Sequence, residues 1–511
     1  MRKWIVLFVF LILSWVAASG AYAYQGKLTV ALKAVSPTMD PHPKSNFIGT
    51  MIWRWAYDTL VSAEAGTGKR LPWLATKWKI HSPKKVEFWL RKGVKFADGS
   101  SLTAENVKFS MNRVMDKKSR QRVLFSAFDR IEIIDDHRFI WHSKVADNGL
   151  LTRLGRYGHI MSLKAKGVDW AIVSRKTFGS GPYLLKEWVK GRKMVFEANP
   201  AWWGNSLYPN RAKTIVLRGI KEPTTRVKSL LKGEVDIIMG VKPQFAPQIK
   251  EQGGLALAVV PAVRIMYLTF VTRHGGPFGN QKVRLAVNYA VDAELLRKTV
   301  LGGLGDLWGS FFHPWNYSGY NPNDKWYGYD LAKAKALMKE AGYPNGFKAT
   351  LYGTIGRYPA DVKTCEAVAG FLKKIKIDAP CRTMPYGLWK KTRNAFQKGT
   401  KKSTGFFLQA YGNGAGDPAN ISIATQTCKG HASVHCFKDV DEAVHKAAST
   451  PDPKEQQIAF EKVTALIKKK AMFKVLYKIR DIFGYKKGLG FKPRHDETFF
   501  AWEIDMKKPR N

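Results

Sequence analysis

The sequence predicts a mixed α/β protein whose chain passes more than once between lobes. Strand signals, in which apolar and polar residues alternate, recur along the chain between segments with apolar residues at helical spacing. No internal repeat, low-complexity tract or long linker separates these segments. The chain has 511 residues, of which 45% are apolar, and this length suggests about three domains.

The predicted elements follow one another in a regular order. KLTVALKA at 27–34 alternates as a half-buried strand does, and two hairpins are predicted, one from KWKI with KVEFWL and one at 131–144. A helix between the hairpins begins after Thr103, which is a good N-cap residue. The apolar residues of this helix share one face and are Ala104, Val107, Met111 and Val114.

The rest of the chain continues in the same way. Residues 214–239 indicate a strand, a helix and a strand, which is a βαβ-like unit. Asp330 is predicted to cap a helix that ends at Gly342. A further helix is predicted over 361–374 and a strand near 376–383.

The first 23 residues are predicted to be an export signal. Arg2 and Lys3 precede the uncharged run WIVLFVFLILSWVAA, and AYA at 21–23 fits a small-x-small cleavage site. The run is shorter than the roughly 20 residues that a spanning helix needs, and an uncleaved anchor is the alternative. We therefore expect an exported, periplasmic protein whose mature chain begins near Tyr24.

Four cysteines suit an exported protein, and they allow three pairings. Cys428 and Cys436 are close in sequence, which favours a bridge between them and leaves Cys365 and Cys381 as the second pair. The segment CKGHASVHC also contains two histidines, so a zinc site with two cysteine and two histidine ligands is the alternative. An oxidising compartment favours the disulfides.

The net charge is +44, from 84 Lys and Arg against 40 Asp and Glu distributed along the whole chain. The export signal and the lack of zinc-finger, RNP and basic-zipper patterns argue against nucleic acid as a partner. We interpret most of the charge as a basic solvated surface, with a contribution from an anionic ligand in a positive cleft. Association with anionic envelope surfaces is the alternative.

No known catalytic motif is complete. FGSGP at 178–182 lacks the spacing of a nucleophile elbow, and GTGKR at 66–70 lacks two parts of a Walker A loop. GNGAGD at 412–417 has an Asp where a dinucleotide-binding loop requires its last glycine. The sequence therefore predicts a binding protein without catalytic activity, cofactor or resident metal.

Several long motifs resemble a known family. They are LRKGVKFADGSSLTAENVKFSMNRVMD at 90–116, GSGPYLLKEWVKGRKMVFEANPAWWG at 179–204, TTRVKSLLKGEVDI at 224–237, YLTFVTRHGGPFGNQKVRLAVNYAVDAELLRKTVLGGLG at 267–305 and YDLAKAKALMKEAGYPNGF at 329–347. Together they resemble the family 5 extracellular solute-binding proteins, which include the dipeptide-, oligopeptide- and nickel-binding components of ABC importers. The similarity covers nearly all of the mature chain.

This resemblance implies a type II periplasmic-binding-protein fold with two lobes, an additional inserted domain and a hinged ligand cleft. Two chain crossings, near 269 and 480, form the hinge, and a solute bound between the lobes draws them shut. The implied parts are the signal peptide at 1–23, lobe I at 24–57, 178–269 and 480–511, the inserted domain at 58–177, and lobe II at 270–479.

Candidate ligand-binding residues follow from the same resemblance. Arg357, in YGTIGRYPAD, corresponds to an arginine that binds a peptide carboxylate, for which the guanidinium fork is suited. In the loop LQAYGNGAGDPAN, Gly414 stands where peptide binders have an Asp for the ligand's amino group, so a buried ammonium lacks a counter-charge here. The same loop supplies Tyr411, Asn413 and Asp417 as candidates, and Asp417 is also suited to cap the loop.

Three further candidates come from two other segments. Met39, in SPTMDP, matches an N-terminal cleft segment of the family, and methionine adapts to a permissive pocket wall. Tyr386 and Trp389, in MPYGLWKK, fall near a segment whose aromatic residues approach the cleft. Core packing is the alternative for all three residues.

These observations indicate a periplasmic solute-binding protein that captures a small polar solute, peptide-like or carboxylate-bearing, for an ABC importer. The expected partners are permease subunits with their ATPases, and we expect a monomer that contacts the membrane only through the permease. The alternatives are a metal-chelate or haem binder, an exported hydrolase, and an envelope-associated scaffold on the same fold.

Overall fold

The computed structural model describes residues 25–43, 47–65, 67–307, 309, 311–312, 319–401, 403–412, 414 and 416–507. The predicted signal peptide and Asn413 lie outside the described residues. Among the helices in these ranges, none combines the length and the apolar composition that a membrane crossing requires.

The chain begins in predicted lobe I and continues into the predicted inserted domain. Its first elements are β1 (Gln25–Leu32), α1 (Phe47–Ala56), β2 (Val61–Ala63), β3 (Arg70–Pro72), β4 (Ala75–Ser82), β5 (Lys85–Leu90), α2 (Ala104–Met115), β6 (Phe128–Asp135), β7 (Arg138–Ser143), α3 (Leu150–Tyr157) and α4 (Trp170–Val173). Strands β4, β5, β7 and β6 form a four-stranded antiparallel sheet in that order. Both predicted hairpins and the helix after Thr103 are confirmed.

The chain then returns to lobe I through β8 (Tyr183–Val189), β9 (Lys193–Ala198), β10 (Ala212–Gly219), α5 (Pro223–Leu231), β11 (Ile237–Met239), α6 (Ala246–Glu251) and β12 (Leu255–Phe270). The predicted strand–helix–strand unit is β10, α5 and β11. Strand β1 lies between β10 and β11 and pairs with both in parallel. The unit is therefore a crossover that spans one intervening strand.

The remaining elements are α7 (Gln281–Ala290), α8 (Ala293–Thr299), α9 (Leu331–Glu340), β13 (Phe347–Lys348), β14 (Thr350–Thr354), α10 (Asp361–Lys373), β15 (Ile377–Asp378), β16 (Cys381–Met384), α11 (Tyr386–Lys398), β17 (Gly405–Gly412), α12 (Pro418–Gln426), α13 (Lys438–Ser449), α14 (Pro453–Lys469) and β18 (Phe473–Lys486). Asp330 caps α9 as predicted, because its carboxylate accepts from the N–H of Lys333 at 2.9 Å. The strand expected near 376–383 is divided into β15 and β16, which pair with β13 and β14 respectively. Pro380 lies between them and has no N–H to donate to a ladder.

One ten-stranded sheet connects both lobes, in the order β16-β14-β17-β12-β18-β11-β1-β10-β9-β8. Strands β12 and β18 are 16 and 14 residues long and pair with each other along most of their lengths. Their register shifts between Pro261 and Ile265. The predicted chain crossings near residues 269 and 480 fall on β12 and β18. We propose that these two strands form the hinge between lobe I and lobe II.

The apolar cores cross one of the predicted boundaries. Lobe I and the inserted domain share one core, which contains Leu28, Trp53, Phe88 and Trp141. Lobe II has separate cores on the two faces of its sheet: alternate residues of β12, such as Ile265 and Met266, enter different cores. Since lobe I and the inserted domain share buried apolar surface, we expect them to move together against lobe II.

Both predicted disulfides are present. Cys365 in α10 is joined to Cys381 in β16, with an S–S distance of 2.00 Å. Cys428 is joined to Cys436 with an S–S distance of 2.01 Å, which closes the segment that follows α12. The four sulfur atoms are bonded in pairs, so the structure favours the disulfides over a zinc site.

Candidate functional site

Arg357 lies in the turn between β14 and α10, and one carboxylate organises this turn. The buried Asp361 side chain accepts hydrogen bonds from the backbone N–H groups of Gly356, Arg357 and Tyr358 at 2.9–3.2 Å. It also accepts from the hydroxyl of Thr354 at 2.8 Å. The N–H of Val362 also donates to it at 3.0 Å. Because five donors converge on one buried carboxylate, the backbone at Arg357 is held in a defined position.

The Arg357 side chain lies beside aromatic rings. Its guanidinium carbon is 4.7 Å from the ring centre of Tyr386 and 5.5 Å from that of Tyr358. Its Nε is buried and has no hydrogen-bond partner among the described residues. A positioned guanidinium with an unused donor is suited to bind a carboxylate.

Lys33 approaches this arginine from lobe I, at the residue that follows β1. The lysine keeps some contact with solvent, but protein atoms around its ammonium lower its pKa to about 8, and the cations of Arg357, Arg264 and Arg226 contribute. Glu497 opposes this effect. Cations from both lobes therefore share one part of the cleft.

Two carboxylates lie among these cations. Arg264 in β12 faces Glu497, with Nε 2.8 Å from Oε1 and Nη2 2.8 Å from Oε2. Burial disfavours the charge of Arg264, but Glu497 raises its pKa above the ordinary value. Burial and the charge of Glu497 raise the pKa of Asp481 in β18, although Arg264 and Lys33 act in the opposite direction. Glu497 is thus engaged by Arg264.

The loop after β17 carries the second group of candidates. Tyr411 is half-buried, and its hydroxyl is 3.4 Å from Nε2 of His431. Burial raises the pKa of Tyr411, so its hydroxyl remains protonated at neutral pH. The backbone oxygen of His431 accepts a hydrogen bond from Nη2 of the buried Arg393 at 2.7 Å. Tyr411 is therefore a hydroxyl donor or acceptor at the cleft.

Gly414 lies against a cation. Arg156 in α3 donates from Nη1 to the backbone oxygen of Gly414 at 3.1 Å. A Cβ atom at residue 414 would lie 2.5 Å from the guanidinium carbon of Arg156. Where the family resemblance implies an aspartate in peptide binders, this protein places a guanidinium group in the adjacent space.

Two expectations need correction, because Met39 and Trp389 do not line the cleft. Met39 is 0% exposed and belongs to the core of lobe I. Trp389 is 1% exposed, and its Nε1 donates to the backbone oxygen of Tyr352 at 3.2 Å. Burial of their large apolar surfaces explains both positions. Tyr386, 39% exposed, stacks on Trp389 with ring centres 5.8 Å apart and meets Arg357 on this support.

Asp417 caps a helix and forms an ion pair. Its Oδ1 accepts from the N–H of Ala419 at 3.0 Å and so caps α12. Its Oδ2 is 2.5 Å from Nη1 of Arg153 in α3. The residue therefore joins lobe II to the inserted domain. Asn413 lies outside the described residues.

Sequence reasoning missed Lys33, Arg264, Asp481 and Arg156. Arg264 is a charge within an otherwise apolar part of β12, AVRIMYL, whereas Asp481 lies in β18, which also carries Lys474, Lys478 and Arg480. Such an interruption is a usable signal, because an ionised group in a buried strand requires a partner. Arg156 has no comparable local signal, since it lies on an amphipathic helix among other basic residues.

Comparison with known proteins identifies the family. The sequence profile of the bacterial extracellular solute-binding proteins, family 5 Middle, matches residues 69–433. The chain belongs to this family. The Dipeptide-binding protein of Escherichia coli (strain K12) is 24% identical to this family 5 protein over 430 residues, which is 78% of each chain.

Solved structures agree with this family 5 assignment. The ABC transporter-associated periplasmic binding protein DppA of Helicobacter pylori, solved in complex with the peptide STSA, is 26% identical, with a TM-score of 0.79 over 95% of this chain and 99% of that chain. The ABC transporter substrate-binding protein CtaP of Listeria monocytogenes shares the fold, with a TM-score of 0.84, 20% identity, and coverage of 94% and 99%. This family 5 protein therefore has the two-lobed periplasmic-binding fold and serves an ABC-type importer by capturing a small solute.

Proposed function

We propose that the captured solute carries a carboxylate, and that Arg357 and Lys33 bind it between the lobes. The unpartnered Nε of Arg357 is the observation that supports this most directly. Lys33 adds a second cation from the opposite lobe. Curated relatives include a Dipeptide-binding protein and the Glutathione-binding protein GsiB of Salmonella choleraesuis, and the ligands in both names contain carboxylates.

Other side chains of the cleft are suited to contact the part of a small polar solute that lies beyond its carboxylate. The exposed ring of Tyr386 offers an apolar surface beside Arg357. The hydroxyl of Tyr411 offers a hydrogen bond on the side of the loop after β17. Asn413, on the same loop, stays a candidate polar contact by its place in the sequence.

Solute binding is expected to favour closure of the two lobes. A carboxylate bound by Arg357 and Lys33 contacts both lobes only when they are closed, so it shifts the population towards the closed form. We propose that the permease recognises this form. We also propose that the export signal is cleaved near Tyr24 and that the mature protein acts in the periplasm as a monomer, with membrane contact only through the permease.

The first experiment is calorimetric titration with N-acylated amino acids and dipeptides, each compared with its carboxamide. We expect the acids to bind and the amides to bind much more weakly. Arg357→Ala should weaken binding of the acids by about 1.5–3 kcal/mol, the range for hydrogen bonds to charged groups. Arg382→Ala, an exposed arginine of the same lobe, removes the same charge and should leave the affinity unchanged.

Equal binding of acid and amide, or equal affinity of the wild type and Arg357→Ala, would remove Arg357 from the site. Native mass spectrometry of protein isolated gently from the periplasm, before and after refolding, complements the titration. A bound mass that disappears on refolding identifies the natural solute, and its formula shows whether it contains a carboxylate.

A further inference from the structure

A cavity lies where lobe I, the inserted domain and the loop after β17 meet. Its empty space, including the open mouth, is about 580 Å³. Arg54 of α1 lines it from lobe I, Thr152 and Arg156 of α3 line it from the inserted domain, and Gly414 lines it from lobe II. Segments that are far apart in the chain thus contribute to one space.

Arg54 brings unused donors to this cavity. It is 2% exposed, and its Nη1 donates to the backbone oxygen of Gly155 at 2.9 Å. Its Nε and Nη2 are buried and have no hydrogen-bond partner in the described part of the chain. Its guanidinium carbon lies 4.9 Å from the ring centre of Phe500 and 5.5 Å from that of Trp73, which hold it in place.

Burial lowers the pKa of Arg54 to about 10, and Arg494 contributes in the same direction. The carboxylates of Asp58, Glu503 and Asp496 act in the opposite direction, and the side chain remains a cation at neutral pH. A buried cation with two unused N–H groups is costly unless an acceptor reaches it. No carboxylate of a described residue forms an ion pair with Arg54 or Arg156.

Arg156 adds a second cation. Its Nη1 donates to the backbone oxygens of Gly414, at 3.1 Å, and Asp496, at 2.7 Å. Its Nε is buried and, within the described ranges, makes no hydrogen bond. The absence of a side chain at Gly414 is what admits this guanidinium, because a Cβ there would be 2.5 Å from its carbon.

The acid nearest to the cavity is already engaged. The Asp496 carboxylate accepts from Nε and Nη2 of Arg494 at 3.0–3.3 Å and from the N–H of Thr498 at 3.0 Å. Burial disfavours its charge, but Arg494 outweighs this effect and holds the pKa of Asp496 well below its usual range. The Asp496 carboxylate thus forms its ion pair with Arg494, and only its backbone oxygen accepts from Arg156.

We propose that this cavity is a second anion-binding subsite of the ligand cleft, and that the solute is a small molecule with two acidic groups. This inference rests on the proposed function, in which Arg357 binds the first acid. Segment 495–498 connects this cavity with the proposed binding site around Arg357. In this segment, Glu497 pairs with Arg264, and the backbone oxygen of Asp496 accepts a hydrogen bond from Arg156. The second group is an oxyanion such as a carboxylate or a phosphate-type group, and an amino group is disfavoured beside Arg156.

The subsite is tested first with inorganic phosphate at constant ionic strength, by thermal unfolding and tryptophan fluorescence. A saturable change in fluorescence and a Tm that rises with the logarithm of phosphate concentration are expected for the wild type. The affinity should fall at least about tenfold in Arg156→Gln. Arg122→Gln, at an exposed position of the inserted domain, loses the same charge and should behave as the wild type.

A second pair of variants tests the charge at Gly414. Gly414→Asp and Gly414→Asn both add a Cβ that displaces the Arg156 guanidinium, so both should reduce phosphate affinity. Gly414→Asp also adds a carboxylate and should reduce the affinity further than Gly414→Asn does. No saturable response of the wild type, or an equal response of Arg156→Gln, overturns the subsite.

The two-acid solute is tested with three matched compounds: glutaryl-alanine, butyryl-alanine and 4-aminobutyryl-alanine. Glutaryl-alanine should bind at least about tenfold more tightly than the other two, and Arg156→Gln should abolish this advantage. If glutaryl-alanine has no advantage while Arg357→Ala still weakens butyryl-alanine, this inference fails and the proposed function stands. If Arg357→Ala has no effect on any of the three, the proposed function fails instead.

Discussion

At the scale of the residue, Lys33 shows how neighbouring cations convert an ordinary lysine into a group that titrates near neutrality. Loss of water around its ammonium and the charges of Arg357, Arg264 and Arg226 all disfavour its protonated form, with Glu497 acting in the opposite direction. The folded protein therefore holds this proton less tightly than the unfolded chain does. Lys33 lowers the stability of the ligand-free protein at pH values below about 8, and this cost disappears as the pH rises towards the pKa of the unfolded state.

A bound anionic solute acts in the opposite direction, because it stabilises the protonated ammonium form of Lys33. We expect the affinity for a carboxylate solute to be full below a pH of about 8 and to fall as the pH rises through that value. Binding near that pH should also take up protons, which calorimetry in buffers of different ionisation enthalpy measures. Lys33→Gln should weaken binding and abolish this pH dependence, while Lys27→Gln, at an exposed position of β1, should preserve it. Identical pH profiles for the wild type and Lys33→Gln would exclude Lys33 from the site.

At the scale of the element, the two disulfides have different relations to the cleft. Cys365–Cys381 joins α10 to β16 within lobe II. Cys428–Cys436 closes the segment that contains His431, whose Nε2 lies 3.4 Å from the hydroxyl of Tyr411. The second disulfide therefore constrains a segment that supports a candidate ligand-binding residue.

Replacing either cysteine pair with serines should lower the free energy of unfolding, because the unfolded chain regains loop entropy. The expected losses are about 3 kcal/mol for Cys365–Cys381 and about 2.5 kcal/mol for Cys428–Cys436, from their loop lengths. Only loss of Cys428–Cys436 should also weaken solute binding, as measured by calorimetry at a temperature where both variants are folded. Equal affinities for the two double variants would show that the segment around His431 does not support the site.

At the scale of the whole molecule, helix α3 of the inserted domain is a contact point for lobe II. Arg153 pairs with Asp417 at 2.5 Å, and Arg156 reaches the backbone of Gly414. Just before α3, Asn148 donates to the backbone oxygens of Thr450 at 2.6 Å and Pro451 at 3.0 Å. The inserted domain shares its core with lobe I, so these contacts also join lobe I to lobe II, and we propose that they favour a closed arrangement of the lobes.

Asp417→Asn tests this role. The amide can still accept from Ala419 and cap α12, but it no longer pairs as an anion with Arg153. We expect the ligand-free protein to shift towards the open form, with a larger radius of gyration in solution scattering and an affinity reduced by about 1.5–3 kcal/mol. Asp452→Asn alters an exposed helix cap of the same type on α14 and serves as the control. An unchanged radius and affinity would show that the pair does not stabilise closure.

The sequence by itself determined much of the local structure. The hairpin of β4 and β5, the cap at Asp330 and the short spacing of Cys428 and Cys436 depend on residues that are close together in the chain. Arg357 was proposed from the resemblance of its motif to the family, and its turn is built by residues that follow it, above all Asp361. Long motifs shared with a family also pointed to the fold.

Only the tertiary structure decided which side chains meet. Local pattern alone did not distinguish Met39 and Trp389 in the core from Tyr386 at the cleft, because large apolar residues suit both environments. The approach of Lys33 to Arg357 and of Arg156 to Gly414 joins segments that are far apart in the chain. These charged side chains lie close together because several distant segments of the chain border the same cleft. Their proximity therefore depends on the packing of distant elements and not on local periodicity.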